Sequence, residues 1–237
     1  MGASVRVPDF VASRSGLAFA NSFPSQPDVT VKVPIYGAVN IGDASNGVCG
    51  GMVFTVLDLR EFGRPAFRDT EPPPADSPLF HYLVSRLIDS WDLPAGVLKY
   101  LAWMNTSDGD SRILTISRRG VWRRTIDDEW PEVRAELDAG RLCPLGLVTV
   151  ESRNPKDLGA NHQVLAYGYD LDDDATLTIH VYDPNTGPAT ADDVWLKLSV
   201  GDADSPGAVE HDINIGHPIR GFFRVSYAAK DPAEVGQ

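Results

Sequence analysis

The sequence is poor in cysteine and in positive charge. Its 237 residues include two cysteines, and 21 lysines and arginines stand against 33 aspartates and glutamates, for a formal net charge of −12 at pH 7. A field of this sign repels the phosphate backbone of nucleic acids and anionic membrane surfaces. We therefore expect neither nucleic acid nor a membrane as a partner.

Long apolar runs are also missing from the sequence. The longest, Val48–Leu57 and Leu145–Val150, fall far short of the ~20 residues of a membrane-spanning helix. Charged residues interrupt the N-terminal stretch, so we expect no cleavable signal sequence. Cys49 and Cys143 lie far apart in different contexts, which argues against a disulfide framework. We expect both thiols to be reduced, in a cytoplasmic protein.

Residue sets that bind metals are lacking too. The acidic stretch Asp170–Asp174 has neither the glycine nor the final glutamate of a calcium-binding loop, and we interpret it as a hairpin tip. Four histidines show no spacing typical of zinc sites: His81, His180, His211 and His217. We expect no metal and no cofactor. Four arginines around Trp122 form a basic cluster, which we interpret as a solvated loop: Arg118, Arg119, Arg123 and Arg124.

Apolar spacing divides the chain into a helical part and a strand part. Residues 1–45 lack lasting periodicity, and we expect an irregular segment there. A mostly buried helix begins near Cys49 and ends before Gly63, followed by helices over Leu79–Asp89, Pro94–Met104 and Pro131–Gly140. Strands are predicted at Leu145–Glu151, His162–Tyr169, Ala175–Tyr182, Asp193–Leu198 and Ile219–Tyr227. Helices followed by an antiparallel sheet define an α+β fold, which we expect to form one domain over residues 1–237.

Cys49 lies at the predicted first turn of the buried helix, between Gly47-Val48 and Gly50-Gly51. Unpaired backbone N–H groups and the positive end of the helix dipole stabilise a thiolate at such a position and lower its pKa. The two glycines leave the backbone open to a carbonyl substrate. The structural alternative is a cysteine that packs in the core, where this residue type is common.

His162 opens one predicted strand, and Asp183 closes the strand that follows it. If the turn between them lies near Asp172–Asp174, the start of the first strand and the end of the second are neighbours. Asp183 or Asn185 can then reach His162, and we favour Asp183 because Pro184 ends the strand. A carboxylate there would fix the histidine tautomer and stabilise an imidazolium.

A cysteine at a helix start, then Asn161-His-Gln-Val-Leu-Ala-Tyr-Gly-Tyr-Asp170, then Tyr182-Asp-Pro-Asn185 resembles the papain-like cysteine peptidases. The resemblance is closest to their bacteriocin-processing branch and covers residues 45–62 and 132–185. It implies a papain-like fold in which the nucleophile starts a buried helix packed on an antiparallel sheet. It also implies Cys49 as nucleophile, His162 as general base and acid, and Asp183 as orienting carboxylate.

The sequence departs from that family at two places. The Cys-Gly-Ser-Cys-Trp signature is absent, so substrate specificity cannot be transferred. The glutamine expected about six residues before the nucleophile is Asp43 here, and a carboxylate cannot donate to an oxyanion. Asn46, Asn40 or Asn21 could supply an amide instead; we favour Asn46, whose structural alternative is a residue of the helix N-terminal turn.

The sequence-based hypothesis is a thiol-dependent hydrolase, a peptidase or amidase that uses Cys49, His162 and Asp183 through an acyl-enzyme. Its partner would be a peptide or amide substrate. One alternative is a catalytically silent binding module of the same fold. Another is an acyl transferase or crosslinking enzyme, which differs only in the acceptor of the acyl group.

Overall fold

Helices and antiparallel strands make up the computed structural model, which describes residues 2–23, 29–33, 37–41, 47–113 and 116–235. Its helices are α1 (Ala12–Ser15), α2 (Cys49–Glu61), α3 (Pro78–Ser90), α4 (Ala95–Met104), α5 (Val121–Arg124) and α6 (Trp130–Asp138). Its strands are β1 (Ala3–Arg6), β2 (Val29–Val33), β3 (Gly37–Ile41), β4 (Ser111–Ile113), β5 (Ile116–Arg118), β6 (Cys143–Val148), β7 (His162–Leu171), β8 (Thr176–Tyr182), β9 (Trp195–Ser199), β10 (Glu210–His211) and β11 (Gly221–Arg224).

Strand β7 is central to the seven-stranded sheet, whose order is β10-β9-β8-β7-β6-β11, with β1 paired to β7 outside this path. Strand β8 occupies one side of β7. On the other side, β6 pairs with the first half of β7 and β1 with the second half. The pairing of β7 with β8 shifts by one residue between Ala166 and Gly168, which is a β-bulge.

Helix α2 is mostly apolar and is buried on all sides in the core. Every residue from Gly50 to Leu59 is buried, as expected of a helix covered on every face. Helix α3 packs along α2, and a Cβ at Gly51 would collide with the carbonyl oxygen of Leu83. Glycine at this position therefore allows the two helices to approach closely, and β7 contacts α2 as well.

A buried ion pair joins α2, α3 and the segment after β11. Asp58 is fully buried and accepts hydrogen bonds from the Arg86 guanidinium, with Nε at 2.7 Å from Oδ2. The carboxylate also accepts from the Tyr82 hydroxyl at 2.8 Å, the Tyr227 hydroxyl at 2.7 Å and the Lys230 backbone N–H at 2.9 Å. Such complete pairing offsets the cost of burying the charge.

The predicted α+β class is confirmed. The structure places helix α2 at the predicted start, and α3 begins with Pro78 after Ser77, whose Oγ accepts from the Phe80 N–H at 3.2 Å. The predicted hairpin is present, with Asp172, Asp173 and Asp174 at its tip, whereas Asp170 and Leu171 are paired within the strands. Among the described residues, no helix is long and apolar enough to cross a membrane.

The expectation of an irregular segment over residues 1–45 is wrong for residues 3–6, 12–15, 29–33 and 37–41, which form β1, α1, β2 and β3. Strand β1 adds to the sheet beside β7, and β2 pairs with β3 in a separate hairpin. Because β1 has four residues, its alternation is too short to stand out in the sequence. Its pairing is determined by the open edge of β7, which lies more than 160 positions away.

Candidate active site

Cys49 is the first residue of α2, and its thiol is half-buried. Burial opposes ionisation of the thiol. The charge and hydrogen bond of His162, followed by the backbone N–H groups of Gln163 and Gly50, outweigh burial and lower the Cys49 pKa. No acceptor for the Cys49 N–H itself is found among the described residues, as is usual for the first turn of a helix.

Gly50 lies against a small polar cluster behind the thiol. A Cβ at this position would collide with Ser90 Oγ and lie 2.9 Å from Gln163 Oε1. The Gln163 amide nitrogen lies 3.3 Å from Ser90 Oγ, and both side chains are buried. Glycine after the cysteine is therefore required for packing. Because Gly50 and Gly51 are both buried, the prediction that they leave the backbone open to a substrate is wrong.

His162 begins β7 and is buried beside Asp183. Its Nε2 lies 2.7 Å from Asp183 Oδ1. Because an ionised carboxylate only accepts, Nε2 carries a proton, and Nδ1 is left to interact with Cys49. Burial disfavours the imidazolium, but the Cys49 thiolate and then the Asp183 carboxylate raise the His162 pKa.

Asp183 directly follows β8 and is fully buried. Besides His162, it accepts from the Asn185 N–H at 3.0 Å, the Thr186 hydroxyl at 2.9 Å and the Asn214 N–H at 3.3 Å. Burial would raise its pKa, but the bond and charge of His162, with the further donors, lower it. The carboxylate is therefore ionised when it holds the imidazole.

Cys143, the second thiol, has different surroundings. It begins β6 and is fully buried. Burial, reinforced by the charge of Glu136, raises its pKa to about 12. A buried cysteine whose pKa is raised is thus present in the same chain for comparison with Cys49.

The three asparagines considered as oxyanion donors differ in where the structure places them. Asn46 lies outside the described residues, and so does Asp43. Asn40 belongs to β3. Asn21 lies next to the candidate site, because its Oδ1 accepts from the Val48 N–H at 2.9 Å.

Two contributors were not foreseen in the sequence. Gln163 has no assigned role in the sequence-based prediction, but its backbone N–H is one cause of the lowered Cys49 pKa. Asn21 was considered as a donor to substrate, whereas its observed partners lie in two loops of the protein, at Val48 and Asn185. The one signal in the sequence that marks Gln163 is its position directly after His162. No local pattern marks Asn21, since its partners are 27 and 164 positions away.

The basic cluster and possible metal-binding groups were the other candidates in the sequence. Arg119 of the basic cluster lies at the surface and is paired with Asp127 and Asp128, both at 2.7 Å. The prediction of a loop is wrong for the rest of the cluster, because Arg118 ends β5 and Arg123 and Arg124 belong to α5. Over the part of the chain that the structure describes, no group of three or more His, Cys, Asp or Glu is arranged to hold a metal ion.

The chain matches no protein-family model, and neither the curated proteins nor the solved structures include a significant match to it. The function must therefore be argued from the geometry of Cys49, His162 and Asp183.

Proposed function

We propose that the protein is a thiol hydrolase of papain-like fold, which cleaves an amide bond in a peptide or related amide through an acyl-enzyme. One observation carries the proposal. The His162 imidazole is hydrogen-bonded through Nε2 to the buried Asp183 and is close enough to Cys49, at the N-terminus of a helix, for each to shift the pKa of the other. This arrangement supplies a nucleophile, an acid and base, and an orienting charge at one place.

Acylation begins from the thiolate of Cys49 and the imidazolium of His162. The sulfur attacks the amide carbonyl carbon, a C–S bond forms, and the carbonyl electron pair moves to oxygen. The N–H of Cys49 at the start of α2 is available to stabilise this oxyanion. The C–N bond then breaks as His162 Nδ1 donates its proton to the leaving amine, which leaves a thioester on Cys49.

Deacylation uses the same groups in the opposite sense. Neutral His162 accepts a proton from water at Nδ1, and the water oxygen attacks the thioester carbonyl. When the C–S bond breaks, the carboxylic acid leaves and the thiolate and imidazolium are restored. Asp183 stays ionised throughout and stabilises the imidazolium in both halves of the reaction.

Titration of Cys49 reactivity tests the first requirement, a thiolate that depends on His162. The rate of alkylation by iodoacetamide is measured from pH 4 to pH 10 in a Cys143→Ala background, so that only Cys49 reacts. We expect rapid alkylation well below pH 8.5, the ordinary cysteine pKa, and an ordinary profile after His162→Ala. A catalytically silent module predicts the same ordinary profile for both proteins, and that result would refute the proposal.

Cleavage of a fluorogenic peptide-amide library in water enriched in ¹⁸O tests the second requirement. A hydrolase places one ¹⁸O atom in each new carboxylate, and Cys49→Ala should remove all cleavage. Products joined to an added amine, with no ¹⁸O, would instead assign the chain to the acyl transferases.

A further inference from the structure

Asn21 connects three parts of the chain around the candidate site. Its backbone N–H donates to the Pro184 carbonyl oxygen at 2.8 Å. Its Oδ1 accepts from the Val48 N–H at 2.9 Å, and its Nδ2 donates to Asn185 Oδ1 at 3.0 Å. The N-terminal segment is thereby bonded to the start of α2 and to the loop after β8.

The direction of these hydrogen bonds is determined by the partners. The Val48 N–H can only donate, so the oxygen of the Asn21 amide must face it. Asn185 Nδ2 donates to the Asn214 carbonyl oxygen at 3.1 Å, which leaves Asn185 Oδ1 as the acceptor for Asn21. The two amides therefore have one consistent orientation, and an inverted amide would lose bonds at both ends.

The partners of Asn21 are the immediate neighbours of two candidate catalytic residues. Val48 precedes Cys49 and is the N-cap residue of α2, with no side-chain cap of its own. Pro184 and Asn185 follow Asp183, and the Asn185 N–H donates to Asp183 Oδ1, the oxygen that also contacts His162. Asn21 is thus separated by one residue from the nucleophile and by one from the carboxylate.

Gly47 gives a second, independent observation. A Cβ at position 47 would collide with Asn21 Nδ2 and lie 2.9 Å from the amide carbon and oxygen. The backbone of Gly47 does not have the positive φ that favours glycine, and the three atoms nearest to an alanine Cβ there would all belong to the Asn21 amide. The absence of a side chain at 47 leaves the space that the Asn21 amide occupies.

We propose that Asn21 is a positioning residue, which holds the loop before Cys49 against the loop after Asp183 and so fixes the contact between the thiol and His162. The inference rests on the proposed function of this site. Asn21 acts through Val48 and Asn185, and no contact with reacting atoms is required. A displacement of about 1 Å between catalytic groups can cost ~100-fold in rate, so a residue in this position has a large effect.

The test measures the pH dependence of Cys49 alkylation by iodoacetamide in the Cys143→Ala background. Asn21→Ala should lower the rate constant at pH 7 by about 10-fold or more and move the midpoint of the profile towards 8.5, the ordinary cysteine value. Gly47→Ala, which displaces the amide without removing it, should have the same effect. Asn105→Ala is the matched control. Asn105 is an exposed asparagine outside the site, and its Oδ1 also accepts a hydrogen bond, from Arg153 Nε at 3.0 Å.

A double-mutant cycle shows whether Asn21 acts through Asn185. Asn185→Ala alone should reduce the rate, and adding Asn21→Ala to it should cost clearly less than Asn21→Ala costs in the parent chain. Fully additive effects, or an Asn21→Ala profile like that of Asn105→Ala, would overturn the inference. If Asn21→Ala does not fold, Gly47→Ala and Asn185→Ala decide the question. Failure of the proposed function is distinguishable, since the parent protein itself would then show an ordinary thiol profile.

Discussion

His162 Nε2 lies 2.7 Å from Asp183 Oδ1, and the same oxygen accepts the backbone N–H of Asn185. The carboxylate orients the imidazole, and Asn185 in turn holds the carboxylate. Asp183 and Asn185 were competing candidates for a single role in the sequence. In the structure they occupy successive positions in one hydrogen-bonded chain that begins at the imidazole.

Replacing the two cysteines one at a time separates the candidate nucleophile, Cys49, from the core thiol of Cys143. Cys49→Ala should abolish amide cleavage and retain the fold, because the change is small and the thiol is half-buried. Cys143→Ala should retain cleavage, since Cys143 is fully buried in β6. Turnover and circular dichroism of both variants check this. Equal losses of activity would contradict the assignment.

Asp183→Asn removes the charge beside the imidazole and keeps its size. Turnover should fall at least tenfold, because a neutral amide stabilises the imidazolium less well than a carboxylate. The alkaline limb of the pH profile should also move to lower pH, since Asp183 is one cause of the raised His162 pKa. Asn185→Ala should cost less turnover, as it leaves the His162–Asp183 contact in place. The reverse order would assign the orienting role to Asn185.

The protonation of His162 should depend on Cys49. Burial lowers the imidazole pKa, and the thiolate is the largest of the influences that raise it. Cys49→Ala should therefore lower the His162 pKa, so that the ring loses its proton at a lower pH than in the parent protein. The ¹⁵N chemical shifts of the imidazole, followed between pH 4 and pH 10, measure the His162 pKa in the parent protein and in Cys49→Ala. An unchanged value in Cys49→Ala would show that the two groups do not form an ion pair.

Asp58→Asn should destabilise the fold without touching the candidate site. It leaves the buried Arg86 guanidinium with the partly exposed Asp89 as its remaining charged partner, and breaking a buried pair typically costs about 3–5 kcal/mol. Asp128→Asn is the matched control, because Asp128 pairs with Arg119 at the surface and should cost about 1 kcal/mol or less. Urea unfolding of the parent protein and of both variants gives the change in the free energy of unfolding for each substitution. Similar losses would mean that the buried pair adds nothing beyond a surface pair.

Helix α2 and the place of Cys49 at its start were predictable because local signals coincide there. The glycines around Cys49 precede a continuous apolar run, and Gly63 with Pro65 stops it. Burial on all sides matches that run. Asn21, by contrast, was not predictable as a positioning residue, because its partners are brought to it by the tertiary fold.

The contact between His162 and Asp183 was predictable only in part. The acidic turn placed the two strand ends together, but the face on which Asp183 lies depends on the bulge in β7. Below the bulge, Leu165 pairs with Tyr182, and by alternation His162 and Asp183 share a face. Above it, Gly168 pairs with His180, and that register continued downward would put them on opposite faces. No residue pattern in the sequence marks this one-residue shift.

The hydrogen bonds of the Asp58 carboxylate determine when, during synthesis of the chain, helix α2 can reach its final packing. Its partners Tyr227 and Lys230 lie 169 and 172 positions later in the chain. At 5–20 residues per second, a ribosome adds that length in roughly 10–30 s. Throughout this interval the Asp58 carboxylate of α2 lacks the hydrogen bonds that Tyr227 and Lys230 donate in the native structure. The helix with the candidate nucleophile therefore reaches its final packing only after translation has passed residue 230, so a nascent chain should acquire a reactive Cys49 late.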